Sequence, residues 1–219
     1  MIPLRDVIPS RRRPYITVTI ILLNAAAWLF EISMPPAFLR EFIQIYGVVP
    51  ADLHPPTLVT SMFLHGSWSH ILGNMWYLWI FGDNVEDRFG HGRFIVFYLF
   101  CGIIAALGQV AMDPLSSVPT IGASGAIAGV MGAYFVLYPR SRVLTLVPLI
   151  VFWDVIELPA VMLLGFWFLL QVVDAGAVAV TSRASAGGVA FAAHVVGFVT
   201  GMAGVVVFRR RRRSSAWDY

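Results

Sequence analysis

An all-α, six-span membrane bundle is the fold this sequence predicts, from its composition, the lengths of its apolar runs and the placement of its arginines. Of 219 residues, 58% are hydrophobic and only 12% are charged, with a mean hydropathy of +0.78. Soluble domains carry about 25% charged residues, so this chain cannot cover itself in water and lipid is its solvent. Its length suits one embedded domain. The expected division is a cytoplasmic tail over 1–14, a helical core over 15–208 and a basic cytoplasmic tail over 209–219.

Spanning helices need about 20 apolar residues, or roughly 17 where the bilayer thins. Candidate spans fall at 15–31, 69–82, 94–112, 121–138, 158–173 and 187–208. The second is short, and Trp68, Trp76 and Trp79 extend it into the interface. The apolar stretch 143–153 has only eleven residues, contains Pro148 and is closed by Asp154 and Glu157, so the segment 143–157 reads as interfacial or re-entrant. Between the first two spans, Phe38, Leu39, Phe42, Ile43 and Tyr46 have the spacing of a short helix lying in the interface.

Arginine placement supports the count. Every basic residue is Arg, and six spans put thirteen of the fifteen on the side of the termini: Arg5, Arg11–Arg13, Arg88, Arg93, Arg140, Arg142 and Arg209–Arg213. Only Arg40 and Arg183 lie opposite. Basic loops stay cytoplasmic, so both termini are expected there, in what reads as a bacterial plasma membrane because no transit peptide is evident. A seventh span would export Arg209–Arg213. The net charge of +3 does not mark a nucleic-acid binder, since the arginines flank apolar runs rather than interleave with aromatics. Anionic lipid is the expected contact of the basic tail. Cys101 is the single cysteine, so no intrachain disulfide forms. Arg11–Arg13 precede an apolar run with no small-residue cleavage site after it, so the first span is retained.

Polar side chains inside spans are costly and mark function or helix glue. Gly122-Ala123-Ser124-Gly125 opens the fourth span. Gly125, Gly129 and Ala133 form a small-residue packing stripe in which Ser124 is simply small. Packing is the stronger reading of this motif taken alone; the alternative is that a serine at a helix N-terminus sits among free N–H groups and the positive dipole end, which stabilise an oxyanion. His194 is the one ionisable residue in the 22-residue run 187–208, and Gly197, Gly201 and Gly204 follow it as a second stripe. Glycine faces on both spans make them expected neighbours. His194 lies about 10 Å inside its span at 1.5 Å per residue, and Ser124 meets it at that level if the loop 113–120 dips inward. A serine bonded to a histidine is the minimum for an activated nucleophile. His70 and Asn74 share one face of the second span by their i, i+4 spacing. They read as interhelical glue or as donors facing Ser124. Zinc is disfavoured, because Ile71 and Asn74 stand where a metalloprotease helix carries Glu and His. The fourth and sixth spans hold no carboxylate to orient His194, which leaves a two-residue arrangement.

Through these residues the chain resembles the rhomboid family of intramembrane serine proteases. The matching pieces run in family order: Tyr46–Pro50, Thr60–His65, His70 with Asn74, Gly82–Glu86 before Arg88, Gly122–Gly125, and Ala193-His194 followed by Gly197 and Gly201. The resemblance implies a rhomboid-like six-helix core with a water-filled cavity open to the extracytoplasmic side. Ser124 would be the nucleophile and His194 the general base, with His70, Asn74 and the Ser124 N–H as oxyanion hole. The fifth span and the loop 174–186 would form the substrate gate. Its substrates would be single-span membrane proteins cut near the outer surface, with no metal or cofactor required. Two departures stand out. Pro56 and Thr57 replace a Trp-Arg pair common in the first outer loop, and Ala128 replaces a tyrosine that stacks on the histidine in some members.

Two other readings compete with the protease. An inactive rhomboid-like protein would escort transmembrane helices, but such proteins characteristically lose the serine or histidine, and both are present. A small transporter would place polar groups at the midplane and show inverted repeats, whereas these groups cluster at one face. Oligomeric state is not legible.

Overall fold

The computed structural model describes residues 1–148, 153–181 and 190–209. The fold is mostly helical: α1 Tyr15–Ser33, α2 Pro36–Tyr46, a short α3 Thr57–Thr60, α4 Trp68–Phe89, α5 His91–Met112, α6 Ser124–Leu137, α7 Ala160–Thr181 and α8 Phe191–Phe208. Local chemistry sets several boundaries. Proline pre-sets the φ of a first helical turn, and α2 starts on Pro36. The Ser67 hydroxyl accepts the His70 N–H at 3.2 Å and caps α4. Gly90, at φ 79°, takes a left-handed turn between α4 and α5. Ser67 and Gly90 thus fix both ends of the helix that carries His70 and Asn74.

Four of the described helices, α1, α5, α7 and α8, are long and apolar enough to cross a membrane. The other two expected spans correspond to α4 and α6. Helix α4 has 22 residues but runs through Asp83, Glu86, Asp87 and Arg88. Helix α6 has only 14, begins at Ser124 rather than near 121, and is buried continuously from Gly125 to Tyr134. It is the centre of the bundle, packed by α4, α5 and α8.

The closest of these contacts is made of backbone. A Cβ on Gly197 would overlap the Gly125 carbonyl, one on Gly201 the Gly129 carbonyl, and one on Gly132 the Phe198 carbonyl. Small residues let helices approach to backbone contact in lipid, where dispersion and packing replace the hydrophobic effect. The pairs 125/197 and 129/201 run in parallel and fix the axial register of α6 against α8. On its other side, Gly129 faces the buried Cys101 of α5.

The all-α expectation needs correction. The stretch from 143, read as interfacial or re-entrant, forms β2 Arg142–Pro148 and β3 Trp153–Pro159, an antiparallel pair. The first residues add β1 Ile2–Asp6 to give a sheet of order β1-β2-β3. Val143 and Thr145 are buried on one face while the intervening Leu144 is half-exposed. That alternation is the period of a strand, and eleven residues are ample for strands though too few for a span. The N-terminal stretch is accordingly docked rather than trailing. Trp76 Nε1 donates to the Pro3 carbonyl at 2.6 Å, and Asp6 Oδ2 accepts from Asn84 Nδ2 and the Tyr134 hydroxyl, both at 2.7 Å. Nearby, the buried Glu86 carboxylate accepts the Ile16 and Thr17 N–H groups at 2.9 and 2.8 Å and the Thr17 hydroxyl at 2.7 Å. A carboxylate at a helix N-terminus satisfies free donors and the dipole together, so Glu86 locks α1 to α4.

Two predictions follow from the packing and the docked strand. Gly201→Ala should cost about 1–3 kcal/mol through overpacking. Gly176→Ala, whose new methyl meets nothing within 4 Å, should be neutral or gain about 0.5–1 kcal/mol. Thermal unfolding in detergent separates the two, and equal midpoints would contradict the backbone contact. Burial pushes the Asp6 carboxyl from 3.8 up to about 6, opposed by the Tyr134 hydroxyl and reinforced by Asp83. A raised carboxyl pKa means the fold favours the neutral form. Its contribution is therefore complete below pH 3.8 and lost as pH rises through about 6. Wild-type thermal stability should fall relative to Asp6→Asn across that window, and a constant difference would refute the assignment.

Candidate active site

The glycine contact sets where Ser124 and His194 lie. Ser124 immediately precedes Gly125, and His194 sits one turn before Gly197, so the 125/197 pairing brings the two side chains to one level. His194 Nε2 and Ser124 Oγ are 2.8 Å apart, a hydrogen-bond distance across 70 residues of sequence. Ser124 is the first residue of α6. The N–H groups of a first helical turn lack intrahelical acceptors.

On the second histidine nitrogen, Nδ1 lies 2.6 Å from Gln171 Oε1 on α7. Trp167 lies against the ring at 5.8 Å between centroids with a 36° tilt, and Phe191 meets it edge-on at 6.4 Å. Sequence reasoning missed Gln171. The available signal was an amide inside an otherwise apolar run, since such groups in lipid need partners. With Ala128 in α6, the aromatic contacts of His194 come instead from Trp167 and Phe191.

His70 and Asn74 face the same space from α4. A Cβ on Gly122 would lie 2.7 Å from the His70 ring and 3.6 Å from Asn74 Nδ2. Gly122 itself has φ 120°, a conformation that side chains resist. Asn74 Nδ2 is 3.0 Å from His65 Nε2, and His65 Nδ1 is 3.3 Å from the Phe63 carbonyl. Burial, with the neighbouring His70 as the smaller cause, pushes His65 down to about 4. It is therefore neutral near pH 7: Nδ1–H donates to Phe63 and Nε2 accepts one amide hydrogen of Asn74. The second amide hydrogen is left for the cavity. His65 is held in turn, because the buried Glu31 carboxylate accepts its backbone N–H at 3.1 Å. Further backbone ties join this loop to the strand entering α6, with Val48 bridged to Thr120 and Gly122 N–H donating to the Ser61 carbonyl at 2.9 Å. In place of the Trp-Arg pair, Thr57 closes a local turn by donating its hydroxyl to the His54 carbonyl at 2.6 Å.

Ser124, His194, His70 and Asn74 all line one cavity of about 950 Å³, which Trp167 and Ile127 also border. Its walls combine hydroxyls, imidazoles and amides with apolar side chains, the mixed lining of a binding or reactive site. Gly122→Ala should displace His70 and strain the turn, at a cost of about 1–3 kcal/mol. Gly92→Ala, in open space, is the matched control. Equal unfolding midpoints for the two variants would place His70 elsewhere.

A family model described as Rhomboid domain matches residues 54–211. The chain is 36% identical over 126 residues to YdcA of Bacillus subtilis, an alignment covering 56% of this chain and 62% of that protein. It is 30% identical over 169 residues to the chloroplastic rhomboid-like protein 11 of Arabidopsis thaliana, covering 75% and 54%. It is also 36% identical over 85 residues to the rhomboid protease GluP of Bacillus subtilis, covering 39% and 16%. The chain spans less than two thirds of each of these relatives.

Proposed function

This chain belongs to the rhomboid family, and on that premise we propose that it is an intramembrane serine endopeptidase that cuts single-span membrane proteins near the outer membrane surface. The observation that carries the proposal is the 2.8 Å bond between Ser124 Oγ and His194 Nε2 inside a cavity that His70 and Asn74 also line.

Peptide hydrolysis needs a nucleophile stronger than a free hydroxyl, a proton acceptor and a binder for the oxyanion. Ser124 Oγ attacks the scissile carbonyl carbon while its proton passes to His194 Nε2. The carbonyl oxygen, now an anion, is met by the Ser124 N–H, the Asn74 amide and the His70 ring. His194 then gives its proton to the leaving amine, and an acyl-enzyme remains on Ser124. Water enters the cavity, loses a proton to Nε2 and attacks the ester, which releases the second product and restores the serine hydroxyl.

In the membrane, α1, α4, α5, α6, α7 and α8 are the six spans of one core over 15–208. Both termini are cytoplasmic and the cavity opens to the opposite side. The arginine distribution supports this orientation. Helix α6 crosses with only 14 residues, consistent with a central helix surrounded by protein rather than lipid. A bacterial plasma membrane is the proposed location, with transmembrane substrates and lipids as partners. The escort reading is disfavoured by the intact Ser124–His194 bond, which helix binding alone would not require.

Ser124→Ala and His194→Ala should abolish cleavage of a reconstituted single-span substrate without changing the unfolding midpoint. Asn74→Ala should raise the barrier by about 3 kcal/mol, the loss typical of one oxyanion donor. A fluorophosphonate probe should label the wild type and not Ser124→Ala. Unlabelled wild-type protein, or a serine variant that still cleaves, would overturn the proposal.

A further inference from the structure

We propose that Gln171 is a positioning residue for His194, holding the imidazole in the tautomer that can act as a base; this rests on the reading of Ser124 and His194 as nucleophile and base. An imidazole can accept the serine proton at Nε2 only if its single proton sits on Nδ1. In a soluble triad, a buried carboxylate enforces that choice. Here, Gln171 Oε1 occupies the same place, 2.6 Å from Nδ1.

Two hydrogen-bond patterns satisfy the row Gln171–His194–Ser124. In one, the Gln171 carbonyl accepts Nδ1–H and Nε2 accepts the serine hydroxyl, so the serine is activated. In the other, the amide is reversed and donates to Nδ1, so Nε2 carries the proton and no base faces Ser124. The structure has the carbonyl oxygen toward the ring. When Nε2 takes the serine proton, both ring nitrogens carry hydrogen. The imidazolium then donates Nδ1–H to the same carbonyl, whose dipole faces the new charge. Gln171 gains and loses no proton, and only its orientation matters. Trp167 lies one turn earlier on α7, against the same ring, so this helix sets both the in-plane direction and the tilt of His194.

The test combines kinetics with the nitrogen spectrum of the ring. In ¹⁵N-histidine-labelled wild type, His194 should show a protonated Nδ1 and an unprotonated Nε2. Gln171→Leu keeps most of the bulk and removes the acceptor. It should lower kcat by about 10- to 100-fold, less than the ~10⁴ lost when a charged orienter is replaced. KM should stay within about twofold, because the residue acts on the base rather than on binding. Its ring spectrum should become a mixture of tautomers. Gln171→Glu restores an acceptor and should recover activity to within about tenfold of wild type. Wild-type kcat in Gln171→Leu, or a wild-type His194 protonated at Nε2, would overturn the proposal. If Gln171→Leu fails to fold, the wild-type spectrum and Gln171→Glu still decide. Wild type that neither cleaves nor takes the fluorophosphonate probe overturns the protease reading instead, while the ring spectrum continues to judge Gln171 separately.

Discussion

Two helices that touch through glycine carbonyls and α-carbons cannot slide past each other, because no side chain is present to repack. Gly125 against Gly197 and Gly129 against Gly201 are contacts of this kind, and they fix α6 on α8 to within a fraction of a residue. Ser124 and His194 are each attached to the helices so fixed, within a turn of the first contact. A shift of one residue along either axis is about 1.5 Å, enough to turn a 2.8 Å hydrogen bond into a gap. Packing and chemistry are thus one constraint, and the glycines that look like mere space-savers set the geometry of the site.

A second constraint is where charge can be kept. Among the described residues, the buried carboxylates lie at the ends of helices, Glu86 in the last turn of α4 below the start of α1 and Glu31 in the last turn of α1, while the half-buried Asp6 of β1 sits against α4 and α6. Each accepts backbone N–H or side-chain donors there. The cavity wall carries hydroxyls, amides and imidazoles, with one carboxylate, Asp113, among its described lining residues. The row from Phe63 through His65 to Asn74 runs on neutral groups, and so does the row from Gln171 through His194 to Ser124. Burying an unpaired ion costs several kcal/mol, whereas a neutral acceptor costs little once it is bonded. A carboxamide is therefore the less expensive orienter for a histidine placed in a bundle that lipid surrounds.

Much of this was legible in the sequence because apolar length and small-residue spacing are local signals. The runs at 15–31 and 94–112 read directly as α1 and α5, and the stripes at 125/129 and 197/201 pointed to adjacent helices. Ser124, His194, His70 and Asn74 stood out as polar groups where such groups are expensive. The sheet was hidden for a different reason. Val143, Thr145 and Val147 carry β-propensity, but a span-length criterion discards eleven residues without asking what else they form. The third strand comes from residues 2–6, whose pairing with β2 is set only by tertiary structure. Gln171 escaped because one amide in an apolar helix has no meaning until its partner is known, and that partner lies 23 residues away on another helix.

The support of the histidine has also moved between helices relative to the pattern of some rhomboids. There, a tyrosine one turn after the nucleophile stacks on the ring. Here that position is Ala128, buried in the core with 1% exposure. A methyl group at this point of α6 cannot reach the imidazole, so ring orientation has to be set from elsewhere. Trp167 supplies an aromatic face and Gln171 an acceptor, both from α7 and one helical turn apart. Ser124 and His194 are held by α6 and α8, whose contact is made of backbone. Trp167 and Gln171 belong to α7, which meets α8 through larger side chains such as Phe168 stacked on Phe198. Displacing α7 would therefore leave Ser124 and His194 adjacent but release the ring to rotate and change tautomer. In this bundle the Ser124–His194 pair is built into a backbone contact, while the groups against the imidazole come from a helix held through side chains.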